Sequence, residues 1–274
     1  MTIPQIIDEQ DAAITAAVAA FQASLEKVVS AAKAKLQARL HDALVLDAAG
    51  NIKRTRANAK VLGKLNDWFM EEMAASGFVH LSREFVNTFP GQLPFFDDIV
   101  AALAKESGKQ LSFEWTGRDK RAFTDYAEHA RLSIEGAVSA VATSARSQIL
   151  LTFGGLPYKA LVALLAEKLD LTVPRAVTMA DTALVVFTRT IANQGYKKLE
   201  FYFKDIRYQA AGPLDQLNRP FCRKLQAESN GGKTWTRAEI DAMDNGQIPN
   251  VFTSFGGFNC RHQWAVTVNS AKAA

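Results

Sequence analysis

The 274-residue sequence is poor in cysteine, histidine and proline, with two, four and eight of each. Two cysteines are too few for a disulfide framework and are typical of a reducing compartment. No apolar run approaches the roughly 18 residues that a membrane span needs, so we expect no membrane partner. The first ten residues contain acids and no basic segment, which is not typical of a signal peptide. These shortages exclude the class of small secreted proteins held together by disulfides.

The remaining composition is that of a globular protein, with 48% hydrophobic and 22% charged residues and a net charge of +4. The positive charge is concentrated between residues 197 and 237, where nine basic residues face four acidic ones. Such an excess is able to contact DNA or an acidic partner, although a solvated surface has the same composition. The candidate contact residues are Lys197, Lys198, Lys204, Arg207, Arg223 and Lys224.

Apolar periodicity predicts long helices in the first half of the chain. Residues 5–46 form an alanine-rich segment with heptad-like spacing, in which Ile7, Ile14, Phe21 and Val28 recur every seven positions. Further helices are predicted over residues 55–76, 97–106 and 119–151, and an aromatic connector with two prolines over residues 78–96. Apolar seams of this length need a covering surface, either a partner or the other helices of the same chain.

The clearest break in the sequence is Gly154-Gly155-Leu156-Pro157, where we predict a domain boundary. Beyond it the pattern predicts helices over residues 158–169 and 173–193, the second ended by Gly195. Alternation predicts strands over residues 198–203 and 264–268, and Thr236 with Glu239 has the pattern of a capping box. The predicted fold is mainly α: a long helical hairpin and a helical middle, with a small α+β C-terminal module. The two predicted domains are an elongated helical domain over residues 1–152 and an α+β domain over residues 153–274.

Motifs typical of enzymes are missing or incomplete. Residues 230–234, Asn-Gly-Gly-Lys-Thr, look like the end of a phosphate-binding loop, but the pattern requires glycine where the chain has Ala227. The sequence contains neither a Gly-x-Ser-x-Gly elbow nor a His-Glu-x-x-His zinc helix. We therefore expect that the protein is not an enzyme.

Cysteine and histidine residues cluster near the C-terminus of the sequence. Cys222, Cys260 and His262 offer soft or borderline ligands that are able to bind zinc, with Asp215 as a fourth ligand. A disulfide between the cysteines is a second interpretation, and two buried thiols acting as small apolar side chains are a third. In the third case Arg219, Arg261 and His262 would make structural hydrogen bonds.

Three pieces of the C-terminal segment, within roughly residues 151–268, resemble the head-morphogenesis family of phage minor head proteins, the relatives of phage Mu protein F. The first piece is residues 175–183 leading through Gly195 into residues 198–201. The second contains Asp215, Arg219, Cys222 and Leu225, and the third is Asn259-Cys260-Arg261-His262. The chain departs from the family pattern in a longer acid-to-cysteine spacing and in His262, which stands where a cysteine is common.

The resemblance implies a low-copy virion protein near the portal vertex, assembled in the cytoplasm of a host bacterium. Its implied partners are portal or other head and head–tail connector proteins, in a ring-associated homo-oligomer, with packaged DNA as a further contact. The residues of the family motif would be structural. Two alternatives stay open: an internal DNA-contacting or ejected virion protein, and an enzyme of unknown type carried on a minor-head module.

Overall fold

The computed structural model describes residues 1–203 and 205–268 and has a mainly α fold. The helices before the first strand are α1 (Ile3–Ala43), α2 (Arg56–Gly63), α3 (Leu65–Ala75), α4 (Phe78–Val86), a 3-10 turn (Phe89–Gln92), α5 (Leu93–Ser107), α6 (Gly117–Thr152), α7 (Tyr158–Leu169) and α8 (Thr172–Leu199). The C-terminal part contains β1 (Ile206–Ala211), α9 (Pro220–Asn230), α10 (Arg237–Asp241), α11 (Val251–Ser254) and β2 (Gln263–Val268). The predicted fold class, mainly helical with a small α+β module, is confirmed.

Strands β1 and β2 form an antiparallel pair, with Ile206 opposite Val268 and Ala211 opposite Gln263. The strands are separated in sequence by α9, α10 and α11, so their pairing closes a long loop. Tyr208 also exchanges both main-chain hydrogen bonds with Trp235, each of 2.9 Å. The second predicted strand, residues 264–268, is confirmed within β2.

The first helix buries a stripe with an 11-residue repeat in place of the expected heptads. The repeating buried positions are Ile3, Ile7, Gln10, Ile14, Val18, Phe21, Leu25, Val29, Ala32, Leu36 and Leu40, and Ile6 is buried beside them. Their spacing alternates 4, 3 and 4, which is 11 residues in three turns and close to the period of a straight α-helix. The seam is therefore covered within the chain itself, and of the two interpretations of the long helices the structure supports packing inside one chain.

Two stretches that were predicted as single elements are divided differently. The helix expected over residues 55–76 is interrupted at Lys64, whose ψ of 0° ends α2 before α3 begins. The connector expected over residues 78–96 is instead mostly helical. Its prolines do not break the helices, because Pro90 and Pro94 occupy the first turns of the 3-10 turn and of α5, where no intrahelical N–H donor is needed.

The strand predicted over residues 198–203 is wrong, because α8 continues to Leu199. Leu199 and Phe203 are buried whereas Phe201 is 88% exposed, so burial here follows helical spacing and not alternation. Gly195 does not end the helix either. It lies inside α8, where a Cβ atom would stand 2.1 Å from Cζ of Phe96.

The chain forms two compact units, each assembled from separate stretches of sequence. Unit 1 comprises Met1–Ala17, Asn87–Glu128 and Asp181–Ala274, and unit 2 comprises Val18–Val86 and His129–Ala180. The boundary predicted after residue 152 falls inside unit 2. There the Gly154–Pro157 break is a tight turn whose main chain is paired with residues 50–52: Gly155 N donates to Ile52 O at 3.2 Å, and Ile52 N to Leu156 O at 2.9 Å. In sequence, the glycines of this paired turn have the same pattern as a linker between domains, which is why a boundary was predicted here.

Aromatic side chains form much of the core of unit 1. The Phe96 ring lies 5.2–5.4 Å from the ring centroids of Phe113, Trp115 and Tyr196. In unit 2, the rings of Phe21 and Phe85 lie 4.7 Å apart, and Tyr158 donates a 2.8 Å hydrogen bond to the carbonyl oxygen of Gln37. Each unit therefore has its own packed core.

Two stretches, Ile3–Ala43 and Tyr158–Leu199, are long and apolar enough to cross a membrane, with windows of mean hydropathy 1.3 and 1.2. Neither stretch contains an uninterrupted apolar run of that length, because charged and polar residues divide both of them. The core helix of a soluble protein passes the same test of length and composition. The absence of a membrane partner accordingly stays a prediction.

Candidate functional site

A cluster of sulfur and imidazole groups lies in unit 1, where α9 approaches the segment before β2. Cys222 is in the first turn of α9, which Arg219 caps with an extended backbone and Pro220 begins. Proline suits this position because its fixed φ matches the helix and its missing N–H would have had no partner. Cys260 and His262 lie just before β2 in sequence. We call Cys222, Cys260 and His262 the Cys/His cluster.

A tight turn over residues 255–260 places Cys260 against Cys222. The backbone has φ of 47° at Phe255, 91° at Gly257 and 52° at Asn259, all in the left-handed region. Gly256 lies so close to the sulfur atoms that a Cβ there would stand 2.2 Å from the Cys222 Sγ. The Gly-Gly pair in the sequence is therefore required for the close approach of this turn to α9.

The three side chains of the Cys/His cluster are buried and point their donor atoms at one another. The two Sγ atoms are 3.7 Å apart, and the Cys260 Sγ lies 3.6 Å from the His262 Nδ1. All three potential ligand atoms lie within 4.8 Å of one another. The structure thus brings together three of the four residues that the sequence predicted as ligands.

The fourth predicted ligand, Asp215, lies elsewhere. Its carboxylate forms an ion pair with the guanidinium of Arg261 and accepts a 2.9 Å hydrogen bond from the main-chain N–H of Leu217. The hydrogen bond from Arg261 holds the pKa of Asp215 below its ordinary value. Asp215 is paired with Arg261 and has no part in the cluster. It was wrongly predicted as a ligand because spacing in sequence does not reveal which of two nearby partners a carboxylate takes.

A hydrogen bond with Gln226 and a stacking contact with Phe255 fix the orientation of the His262 ring. Gln226 donates through its Nε2 to the carbonyl oxygen of Gly212, which leaves its Oε1 facing the His262 Nε2 at 3.3 Å. The ring also stacks on Phe255, with centroids 5.5 Å apart and an angle of 22° between the planes. The proton is therefore assigned to Nε2, and the Nδ1 lone pair faces the Cys260 sulfur.

Arginines hold the turn from both sides. Arg219 donates to the carbonyl oxygens of Gly256 and Phe258, the latter at 2.5 Å. Arg189 in α8 donates to the carbonyl oxygens of Ser254, at 2.9 Å, and Cys260, at 2.5 Å. Of the family-motif residues, Asp215, Arg219, Cys222, Asn259, Cys260, Arg261 and His262 all contribute contacts to this site.

The electrostatic environment favours a thiolate at Cys260. The hydrogen bond from the Cys222 thiol, with help from the Arg189 guanidinium and the main-chain N–H of His262, lowers the pKa of Cys260 although burial opposes this. The same hydrogen bond, together with burial, raises the pKa of Cys222. The main-chain N–H of Gly256 also donates to the Cys260 Sγ, at 3.2 Å. A negatively charged Cys260 sulfur therefore has several hydrogen-bond donors around it.

Two of the candidate contact residues for DNA, Lys198 and Arg207, have acidic neighbours. Lys198 is paired with Asp119, and Arg207 lies 3.3 Å from Asp205 and 3.7 Å from Glu239. The exposed members are Lys197, Arg223 and Lys224, and Lys204 lies outside the described residues. Close acidic neighbours therefore neutralise part of the positive charge that the sequence concentrates here.

Arg189, Gln226 and the buried acids near the site were not predicted from the sequence. Arg189 is the single charged residue between Asp181 and Lys197, within an apolar run, which is the one signal that its charge has a buried role. Burial raises the pKa of both Asp11 and Asp181, and the positive charges of Arg261 and Arg189 oppose it. The sequence did not indicate a role for Asp11 in the site, because Asp11 has the pattern of an ordinary solvent-exposed position on a helix.

No protein-family model, curated protein or solved structure matches this chain, so the resemblance to phage minor head proteins has no support from these comparisons.

Proposed function

We propose that the protein is a bacteriophage virion structural protein of the minor-head class, acting in head assembly and not in catalysis. The observation that supports this is the convergence of the residues that carry the resemblance. Asp215 and Cys222 from the second piece contact Arg261 and Cys260 from the third, and Arg219 donates to the main chain of residues 256–258 directly before the third piece. Motif residues that meet in space although they are distant in sequence are under one structural constraint, as expected if the motif defines a module.

Exposed apolar side chains next to the Cys/His cluster support contact with another protein. Leu214 is 68% exposed, Leu217 81% and Phe258 48%, and all three lie within two residues of a motif residue. Single exposed apolar residues are ordinary, but several within the short segments that carry a motif are typical of an interaction surface. We call Leu214, Leu217 and Phe258 the apolar rim.

The assembly mechanism differs from the one that the long helices suggested. Because the stripe on α1 is already buried, it is not the surface that docks on a ring-forming neighbour. The apolar rim takes that role, and the Cys/His cluster with its arginines keeps the rim in a fixed shape. The expected partner is a portal or head–tail connector protein, with the copy number set by the ring that it forms.

Mass spectrometry of purified particles tests the proposed location. The protein should be present in mature virions at low copy number and should co-purify with the portal protein encoded beside it. Its presence in the lysate together with absence from mature particles would contradict the proposal.

A matched pair of variants tests the proposed surface. Leu217→Ser removes an exposed apolar side chain of the rim, whereas Leu151→Ser removes one that is 85% exposed in unit 2. Loss of an interface side chain of this kind costs about 1–2 kcal/mol, so Leu217→Ser should weaken portal binding roughly tenfold and Leu151→Ser should leave it unchanged. Equal binding of the two variants would remove the rim from the interface.

Binding to DNA is the competing outcome. Retention of the protein by duplex DNA, with an affinity that falls steeply as salt is raised, would favour an internal DNA-contacting protein. Lys197, Arg223 and Lys224 are the exposed residues whose replacement should then reduce the salt dependence. A portal-binding protein of the proposed kind should show no such response.

A further inference from the structure

Two of the three separations in the Cys/His cluster match the edges of a zinc coordination tetrahedron, and all three lie within 4.8 Å. Zinc binds sulfur at about 2.3 Å and imidazole nitrogen at about 2.0–2.1 Å. In a tetrahedron with those bond lengths, two sulfurs lie about 3.8 Å apart and a sulfur and a nitrogen about 3.6 Å apart. The corresponding separations here are 3.7 Å for Cys222 Sγ to Cys260 Sγ and 3.6 Å for Cys260 Sγ to His262 Nδ1.

The surroundings of His262 prepare its Nδ1 as a ligand. Zinc-binding histidines commonly donate their other ring N–H to a carbonyl or carboxylate, which fixes both the tautomer and the ring plane. Gln226 supplies that acceptor at the Nε2, and its own amide is held by the carbonyl oxygen of Gly212.

The turn around Gly256 supplies the remaining support. Its N–H donates to the Cys260 Sγ, as is expected where a thiolate has to be stabilised. Its missing side chain leaves room that a Cβ would take from both sulfurs, at 2.2 Å from Cys222 and 3.1 Å from Cys260. The turn is therefore built to hold both sulfurs on the same side.

We propose that Cys222, Cys260 and His262 bind one zinc ion through two thiolates and the Nδ1 of a neutral imidazole. Both thiols lose their protons on binding, so the two sulfur charges neutralise the ion. A borderline-soft set of two sulfurs and one nitrogen suits zinc better than magnesium, calcium or manganese. This site is independent of the proposed virion role.

Three protein ligands leave the fourth position of the tetrahedron to an exogenous group. All three ligands line one cavity of about 260 Å³, together with Arg219 and Arg261. Positive side chains at its wall favour water, hydroxide or a small anion as the fourth ligand. The proposed centre is thus a zinc site with three protein ligands and one exchangeable position.

Metal content of the full-length chain, expressed in zinc-supplemented medium and purified without chelator, is the first test. We expect about one equivalent of zinc, falling below about a tenth of an equivalent in Cys260→Ser and in His262→Ala. His80→Ala, at an exposed histidine far from the cluster in sequence, is the control and should keep the full equivalent.

Measurements on the wild-type chain test the zinc proposal even if a ligand variant fails to fold. After reconstitution with zinc under anaerobic conditions, X-ray absorption at the zinc edge should give two sulfur and two nitrogen or oxygen neighbours. Less than a tenth of an equivalent of zinc bound by the reduced wild-type chain would overturn the proposal. So would an intact mass two hydrogens below that of the reduced chain, which marks a disulfide, or a zinc shell without two sulfurs.

The proposed virion role and the proposed zinc site are contradicted by different results. A protein that enters particles without zinc loses the metal site alone, and a zinc-containing protein that never enters particles loses the virion role alone.

Discussion

The guanidinium of Arg189 donates a 2.5 Å hydrogen bond to the main-chain carbonyl oxygen of Cys260. The same side chain donates to the carbonyl oxygen of Ser254, so one buried cation on α8 holds both ends of the turn that contains Gly256. Burial lowers the pKa of Arg189, and the nearby Cys260 sulfur opposes that shift. Arg189 therefore connects the helical core of unit 1 to the Cys/His cluster.

Replacement of Arg189 should destabilise unit 1. Arg189→Met keeps a side chain of similar length but leaves buried carbonyl oxygens without a donor, which costs on the order of 3 kcal/mol of unfolding free energy. Arg189→Lys should restore only part of the loss, since an ammonium group does not reproduce the planar fork. Urea denaturation measures the effect.

Arg223→Met is the matched control, because Arg223 is an exposed arginine on α9. Its free energy of unfolding should lie within about 0.5 kcal/mol of wild type. Equal losses in the two methionine variants would show that the buried hydrogen bonds of Arg189 contribute nothing to stability.

Gly195 should not tolerate a side chain. A Cβ there would stand 2.1 Å from the Phe96 ring, and that ring is already packed against Phe113, Trp115 and Tyr196. Gly195→Ala should therefore lower the free energy of unfolding by about 1–3 kcal/mol. Thermal and urea denaturation give the size of the loss.

Gly136→Ala provides the control for that substitution, because Gly136 is also inside a long helix but has nothing within 4 Å of the position that a Cβ atom would take. Alanine is the better helix former, so this variant should gain about 0.5–1 kcal/mol. The opposite signs of the two changes are the prediction; a gain for Gly195→Ala would contradict the close contact with Phe96.

Acid should remove stability at the start of α6. Although burial acts to raise the pKa of Asp119, hydrogen bonds from Lys198 and Thr116 hold it below the ordinary value of 3.8. A carboxyl group whose folded pKa is depressed stabilises the fold above its unfolded pKa, and this contribution is lost as the pH falls through the folded pKa. The stability that Asp119 supplies is therefore complete at neutral pH and declines below about pH 3.8.

Asp119→Asn tests this dependence. At pH 7 the variant should be less stable by about 1–2 kcal/mol, since charge-assisted hydrogen bonds are lost, and the difference from wild type should shrink toward pH 3. Urea denaturation across that range measures it, with the exposed Asp125→Asn in the same helix as control. A difference that stays constant with pH would show that the Asp119 charge is not responsible.

The helices were predictable where their signal is local. Apolar spacing predicted the bounds of α1, α6 and α7 to within three residues, and the capping box of Thr236 and Glu239 starts α10 as predicted. Residues 198–203 were wrongly predicted because Leu199, Phe201 and Phe203 alternate in sequence, while Phe201 in fact points to solvent. Six residues are too few for periodicity to separate a strand from the end of a helix.

The candidate site was predictable only in part. Cys222, Cys260 and His262 attracted attention through their chemistry, but the same reasoning chose Asp215 as a ligand and overlooked Gln226 and Arg189. The choice depends on distances between residues far apart in the chain, such as Asp215 and Arg261, which are separated by 46 positions and whose pairing no local pattern records.

The sequence by itself determined the secondary structure of the long helices and the candidate residues of the cluster, because turn signals, periodicity and ligand chemistry are properties of short segments. Only the tertiary structure decided that the α1 stripe is covered within the chain, that Gly195 admits the Phe96 ring, and that two sulfurs and an imidazole nitrogen meet. Those outcomes depend on which distant surfaces pack together, and close packing selects among partners that the sequence leaves equivalent.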